Sequence, residues 1–257
     1  MSATNPASSF TQNVYEQLRI KLLNGSCRPG EKLKISDLCE VLSANLSAVR
    51  EALSRLTSEG LVVSEPQRGF RAAPITADDL RYLTEARIHI EGLCIERAIK
   101  LGGITWETGI VAALHTLLRT PRFGKVTEEW AIAHNDFHRA LVAACDNSWL
   151  IRMREMLAMQ GERYRWLSVT TASKKRDLDK EHSKLSEAIL ARNCQLATKL
   201  MKAHLLLTTE ILLQAGFVDD RVKVARSASS THKHGSRPRT RRVSVPRSAL
   251  RAPTGGN

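Results

Sequence analysis

The chain reads as mainly α, an N-terminal winged helix-turn-helix followed by an all-α antiparallel helical bundle. Three observations predict this. Residues 46–63, LSAVREALSRLTSEGLVV, join a strongly two-faced helix to a β-branched run. Residues 76–215 hold six segments of helical periodicity with short breaks and no alternating strand pattern. From Arg221 onward ten Lys/Arg stand without one acidic residue, so residues 1–220 carry only about +3 of the net charge of +13. The basicity belongs mostly to a tail at 217–257, rich in Ser, Pro and Arg. That tail reads either as disordered or as a basic arm adding phosphate contacts.

At 257 residues and 42% hydrophobic, the chain is long enough for a real core and ordinary for a globular protein. No window approaches about eighteen consecutive apolar residues, which argues against a membrane span. The polar start MSATNPASSFTQN lacks the pattern of a secretory signal, so a cytoplasmic protein is expected. Cys27, Cys39, Cys94, Cys145 and Cys194 are widely spaced. They read as reduced thiols rather than a disulfide frame or zinc ribbon.

Taken in order, residues 1–10 are expected to be disordered and 11–74 to form the first domain. Val14, Leu18, Ile20, Leu22 and Leu23 predict a helix over 11–23, closed by Asn24-Gly25. A Pro29-Gly30 turn follows, and Leu33 and Ile35 lead into a short helix over 37–42. Ser36 is its expected cap, with Leu38, Val41 and Leu42 facing inward. After a tight turn at 43–45 comes the two-faced helix. On a wheel Leu46, Val49, Ala52, Leu53 and Leu56 share one arc, and Ser47, Arg50, Glu51, Ser54 and Ser58 the other. A solvated face usually carries long Lys/Glu side chains. A helix entering a DNA groove about 12 Å wide favours short donors with one or two arginines. Gly60 stops the helix, and LVVSEPQRGFRAAP then reads as a two-stranded wing with Arg68 and Gly69 at its tip. The candidate contacts to double-stranded DNA are Ser36, Asn45, Ser47, Arg50, Glu51, Ser54, Arg68 and Gly69.

The run from PGEKL through VREALSRLTSEGLV to QRGF resembles the N-terminal domain of the GntR family of bacterial transcription regulators, over about residues 11–74. Arg50 takes the arginine of that family's V-R-E-A-L. There are departures: where the family commonly has Gly-Val-Ser-Arg, this chain has Ser43-Ala44-Asn45-Leu46, and a common proline is Ala48.

The second domain, 76–215, is expected to open with a helix capped by Thr76, carrying Asp78 and Asp79 in its first turn and ending at Gly102-Gly103. Further helices are expected at 106–118, 127–145, 149–169, 173–192 and 194–214. Four histidines stand out. His134 and His138 are i and i+4 on one helix, His182 lies in KEHSKL and His204 in MKAHLLL. From spacing alone they are either ordinary half-buried histidines or a set converging on one cation in a bundle core.

F-H-R-A-L, E-H-S-K-L-S-E-A-I and A-x-x-x-M-x-x-H-L resemble the FCD effector domain of the FadR branch of that family. Many of its members bind a divalent metal through one Asp and three His. The resemblance places His138, His182 and His204 at the three histidine positions and His134 at the aspartate position. Asp136 points about 160° away from His138 on the same helix and cannot substitute. An all-histidine set suits Zn²⁺ or Ni²⁺ better than oxygen-seeking Mg²⁺ or Ca²⁺. The resemblance further implies a small carboxylate effector beside the metal. Arg87 is the candidate to hold it, with Arg163 and Arg165 behind, although Arg87 equally suits an ion pair with Glu91. His89 and His115 read as structural, and His232 and His234 fall in the tail.

The expectation is a ligand-responsive regulator that binds a palindromic operator as a homodimer, a repressor released by a small organic acid. One alternative is a metal sensor in which the cation is the signal. A metalloenzyme is disfavoured, because four histidines tend to close the coordination sphere that catalysis must leave open.

Overall fold

The computed structural model describes residues 6–121, 127–169 and 176–214. The expected tail at 217–257 and the first five residues lie outside them. Helix α1 spans Pro6–Leu23, beginning at Pro6 rather than at the expected Thr11. Proline suits a first helical position, where its missing N–H is no loss. Val14, Leu18 and Leu22 of α1 are buried against α3, Leu46–Ser58, which buries Val49, Ala52, Leu53 and Leu56. Between them lies α2, Ile35–Val41. Ser36 does not cap it: the N-cap is Lys34, without a side-chain bond, and Ser36 Oγ donates to Asp37 Oδ1 at 2.9 Å. Leu38 and Leu42 face the core, but Val41, expected to face inward with them, is 64% exposed.

The wing has a third strand. β1 (Lys32–Leu33), β2 (Val62–Glu65) and β3 (Gly69–Ala72) form an antiparallel sheet in the order β1-β3-β2. The registers Leu33↔Phe70 and Val63↔Arg71 set β3 in the middle. A two-residue strand is too short to show alternation, which is why only the hairpin was legible. Gly60 at φ +73° ends α3 as expected, and Leu61 N donates to Leu56 O at 2.9 Å.

The rest of the described chain is helical: α4 (Ala77–Leu101), α5 (Ile104–Arg119), α6 (Glu128–Leu141), α7 (Ser148–Val169), α8 (Leu178–Leu190) and α9 (Cys194–Gln214). Thr76 caps α4, its hydroxyl accepting from Asp79 N at 3.1 Å. Helix α6 stops at Leu141, short of Cys145, and α8 starts at Leu178 behind an Asp177 cap, while the expected start at 173 lies outside the described residues. Cys94, Ile95, Ala98, Phe137, Leu141, Leu185, Ile189 and Met201 are buried together in the bundle core. At the α4–α5 corner a Cβ on Gly102 would run into the Trp106 ring, whose indole N–H donates to Ala140 O at 2.9 Å. No helix among the described residues is long and apolar enough to cross a membrane.

Candidate DNA-reading surface and histidine centre

On α3 the buried residues turn Ser47, Arg50, Glu51 and Ser54 outward, all exposed on one face. Leu46 does not join the core: it is 50% exposed, replaced inside by Ala48. Asn45 caps the helix, its Oδ1 accepting from Ala48 N at 2.9 Å. That fixes the first turn and leaves Asn45 exposed beside Ser47. Arg55, one turn after Glu51, is held by Gln12 and lies over the Tyr15 ring at 3.9 Å. Arg50 is thus the arginine that α3 presents outward. At the wing tip Gln67 (φ +61°) and Gly69 (φ +91°) make the tight turn that exposes Arg68. Ser36 is exposed on α2.

The four histidines meet inside the bundle. Helix α6 brings His134 and His138, α8 brings His182 and α9 brings His204; all four are buried. One nitrogen from each lies within 4.8 Å of the others, and His134 Nε2 and His138 Nε2 are 3.2 Å apart. Burial first, then the neighbouring cations and imidazoles, holds His134 and His138 well below the usual histidine range. His204 is pushed down by burial and partly restored by Glu181. Burial thus favours the neutral form of His134, His138 and His204, the form that ligates metal. The all-nitrogen set and the partnerless buried His138 Nδ1 are compatible with a divalent cation at this centre.

Arginines surround it. Arg165 on α7 reaches His134 Nδ1 at 2.5 Å and Asn135 Oδ1 at 2.9 Å. Burial lowers its pKa to about 10, with Glu162 acting against the shift. Arg87 on α4 does pair with Glu91, at 3.7 Å, and also borders the histidine cavity. Gly161 permits this approach, since a Cβ there would lie 2.6 Å from Arg87 Nη1. Arg163 is a correction. It points away from the centre, donating to Ala73 O and Pro74 O in the link between β3 and α4.

Two residues escaped the sequence reading. Arg176, expected inside a helix over 173–192, instead lies ahead of α8, so the expected helical phase does not place it, yet it lines the cavity. It grips Glu181 with two bonds of 2.8 Å. Glu181 Oε2 in turn accepts from His204 Nδ1 at 2.8 Å. Burial opposes the ionised form, but the bonds from Arg176 and His204 hold Glu181 at about 2. A carboxylate on the outer nitrogen of a histidine turns the other nitrogen's lone pair inward, as around bound metals generally. The enclosed space, about 50 Å³, is lined by Arg87, His134, His138, Arg165, Arg176 and His204 among others.

Helix α7 touches both regions. Met159 packs on the N-terminal core, Gln160 Nε2 donates to Glu59 O, and Glu162 sits 3.9 Å from Arg19 of α1. One turn away Arg165 reaches the histidines.

Residues 10–71 match the family of bacterial regulatory proteins of gntR type, and residues 82–207 match the FCD domain. The chain is 36% identical over 208 residues to the HTH-type transcriptional repressor GlaR of Escherichia coli (strain K12), covering 78% of this chain and 94% of that one. It is 31% identical over 217 residues to the HTH-type transcriptional regulator BphR of Paraburkholderia xenovorans (strain LB400), covering 82% and 88%. Among solved structures, E. coli McbR/YncC shares the fold with a TM-score of 0.68 at 20% identity, over 84% of this chain and 99% of that one. A putative GntR regulator from Rhodococcus sp. RHA1 does so at 0.62 and 22% identity, over 80% and 99%.

Proposed function

This chain belongs to the GntR family of DNA-binding transcription regulators, its winged helix joined to an FCD domain, and from that premise we propose that it is a repressor released by a small organic acid. The acid binds beside a divalent cation, Zn²⁺ or Ni²⁺ by the chemistry of the donors, held in the cluster His134, His138, His182 and His204. One observation carries this reading: three guanidiniums, Arg87, Arg165 and Arg176, converge with neutral histidines on one enclosed cavity. Each guanidinium already faces one carboxylate, Arg87 with Glu91, Arg165 with Glu162 and Arg176 with Glu181, and a carboxylate ligand can still meet both a cation and the free edges of the arginine forks.

The operator is palindromic and the regulator binds as a homodimer, each α3 with Ser47, Arg50, Glu51 and Ser54 entering a major groove while Arg68 and Gly69 reach the flanking backbone. Ser36 and Asn45 meet phosphates at the helix entry. Residues 11–74 serve as the DNA-binding unit and 76–215 as the effector and dimerisation unit. Release requires that the acid bind one arrangement of the two better than the other. Helix α7, anchored on Glu59 O and on the histidine centre, is the element placed to transmit it.

The test is a thermal-shift screen of small dicarboxylates and sugar acids with and without zinc or nickel, followed by gel shift on the DNA upstream of the gene. The reading expects an acid that stabilises the protein only with metal present and frees the DNA. Release by metal or chelator alone, indifferent to every acid, would establish the sensor reading instead.

A further inference from the structure

His204 and His134 face the same centre, but their outer nitrogens meet partners of opposite polarity. His204 Nδ1 lies 2.8 Å from the Glu181 carboxylate, which can only accept. The proton of that neutral ring is therefore on Nδ1, and the Nε2 lone pair is available to a cation. His134 Nδ1 lies 2.5 Å from Arg165 Nη1. A guanidinium stays protonated at any working pH and can only donate. Nδ1 of His134 is thus the acceptor, and the ring's one proton sits on Nε2, donating to His138 Nε2 at 3.2 Å. For His134 to offer Nε2 to a cation, Nδ1 would have to carry the proton, setting two N–H groups against each other at 2.5 Å in a buried site. Arg165 is itself fixed, by Asn135 Oδ1 at 2.9 Å and Glu162 at 3.3 Å, and does not swing away freely.

We infer that only His138, His182 and His204 ligate the cation, and that His134 is an N–H donor, its tautomer set by Arg165, aimed at an oxygen held by that cation. The inference rests on the proposed presence of a divalent cation and says what the fourth histidine does there. A carboxylate at this position would supply one negative ligand. The present imidazole leaves a coordination position open and adds a donor that recognises what fills it. Were a cation held by His138, His182 and His204, a carboxylate oxygen of the effector would suit both it and the His134 N–H. Arg165 thereby becomes a positioning residue for the centre rather than only an anion partner.

The experiment uses the full chain and Zn²⁺ itself. Two-bond ¹⁵N–¹H correlation on protein labelled at histidine nitrogens reports each tautomer directly. The expected result is His134 protonated on Nε2 both without and with one equivalent of Zn²⁺, while His204 remains protonated on Nδ1. His134 found with its proton on Nδ1 in the loaded protein overturns the inference. In parallel, zinc affinity is measured by chelator competition. His134→Gln and His134→Ala are expected to bind one zinc per chain within about tenfold of the parent. His138→Ala is expected to weaken binding beyond the roughly 10–100-fold typical of a lost outer partner. In an Arg165→Met background, where Nδ1 is free to carry the proton, adding His134→Ala is expected to cost at least about tenfold more than it does in the parent. Equal costs in the two backgrounds, or loss of zinc in His134→Gln to the degree seen for His138→Ala, refute the donor role. A parent that takes up neither zinc nor nickel refutes the cation reading itself, which is a distinguishable outcome.

Discussion

The two regions of the chain treat polarity in opposite ways. In the winged helix the residues buried from α1 to β3 are apolar: Leu18, Val49, Leu53, Leu56 and Leu61 among others. Among the described residues every buried charged or polar side chain lies from Thr76 onward, including Glu91, Arg154, Arg163 and the four histidines. Burying such groups is costly unless each is partnered. A region whose work is done at its surface has no need to bear that cost, and its interior is a plain scaffold for exposed Ser47, Arg50 and Arg68. On the proposed function the bundle bears it because its chemistry is enclosed. On that proposal, function lies on the outside of one region and in the interior of the other.

The sharpest way to break the contrast is to strip one buried charge from the bundle. Glu91 faces Arg154 at 3.2 Å, both nearly inaccessible, and Arg87 at 3.7 Å. Glu91→Ala leaves Arg87 without its ion-pair partner and buried Arg154 with Glu155 alone, 2.9 Å away, and is expected to destabilise the fold by about 3–5 kcal/mol, read from urea unfolding. A change under about 1 kcal/mol would mean that water reaches the pair.

Acidification tests the same interior without mutation. His134, His138 and His204 are held below their ordinary value of 6.5 by burial, so in the metal-free protein the unfolded chain binds more protons than the folded one below that pH. Their contribution is complete above 6.5 and is lost as pH falls from there toward the depressed folded values. Each unit of depression corresponds to about 1.4 kcal/mol. The thermal midpoint of metal-free protein is expected to fall from pH 7 to pH 5, and an Ala for His138 to flatten the fall. Glu181, held at about 2, adds to the loss only below its ordinary 4.5.

At the surface of the other region, Arg50→Ala is expected to leave unfolding unchanged while weakening operator binding by about 1–3 kcal/mol, measured by gel shift at fixed salt. Unchanged binding would mean that α3 does not face DNA.

The same division explains what the sequence made legible. The face of α3, the Thr76 cap and the histidine quartet could be read because each is a pattern along one helix or a motif at fixed spacing. Arg176 and Glu181 could not, because their role depends on how the entry to α8 lies against α9. Arg163 and Arg165 are two apart on α7 and therefore diverge, one to the interdomain link and the other to the centre. Counting arginines near a site does not resolve that; the helical phase relative to α6 does. Gly161, in the middle of α7, was the available hint that another side chain crosses closely there.

The smallest expected effect lies at Leu46, where the wheel placed a core residue and the structure places a half-exposed one at the rim of the reading face. Leu46→Arg should alter stability by no more than about 0.5 kcal/mol, since little packing is lost at an exposed position. Its consequence belongs to DNA. An arginine here extends the exposed face that carries Ser47 and Arg50 by one cationic group at the helix entry. If it meets a phosphate, the slope of log affinity against log salt steepens by about one and all sequences gain alike. A gain confined to some operator sequences would mean a base contact, and no gain would place Leu46 outside the groove. A loss of stability well beyond 0.5 kcal/mol would instead return Leu46 to the core and blur the line between an apolar interior and a working surface.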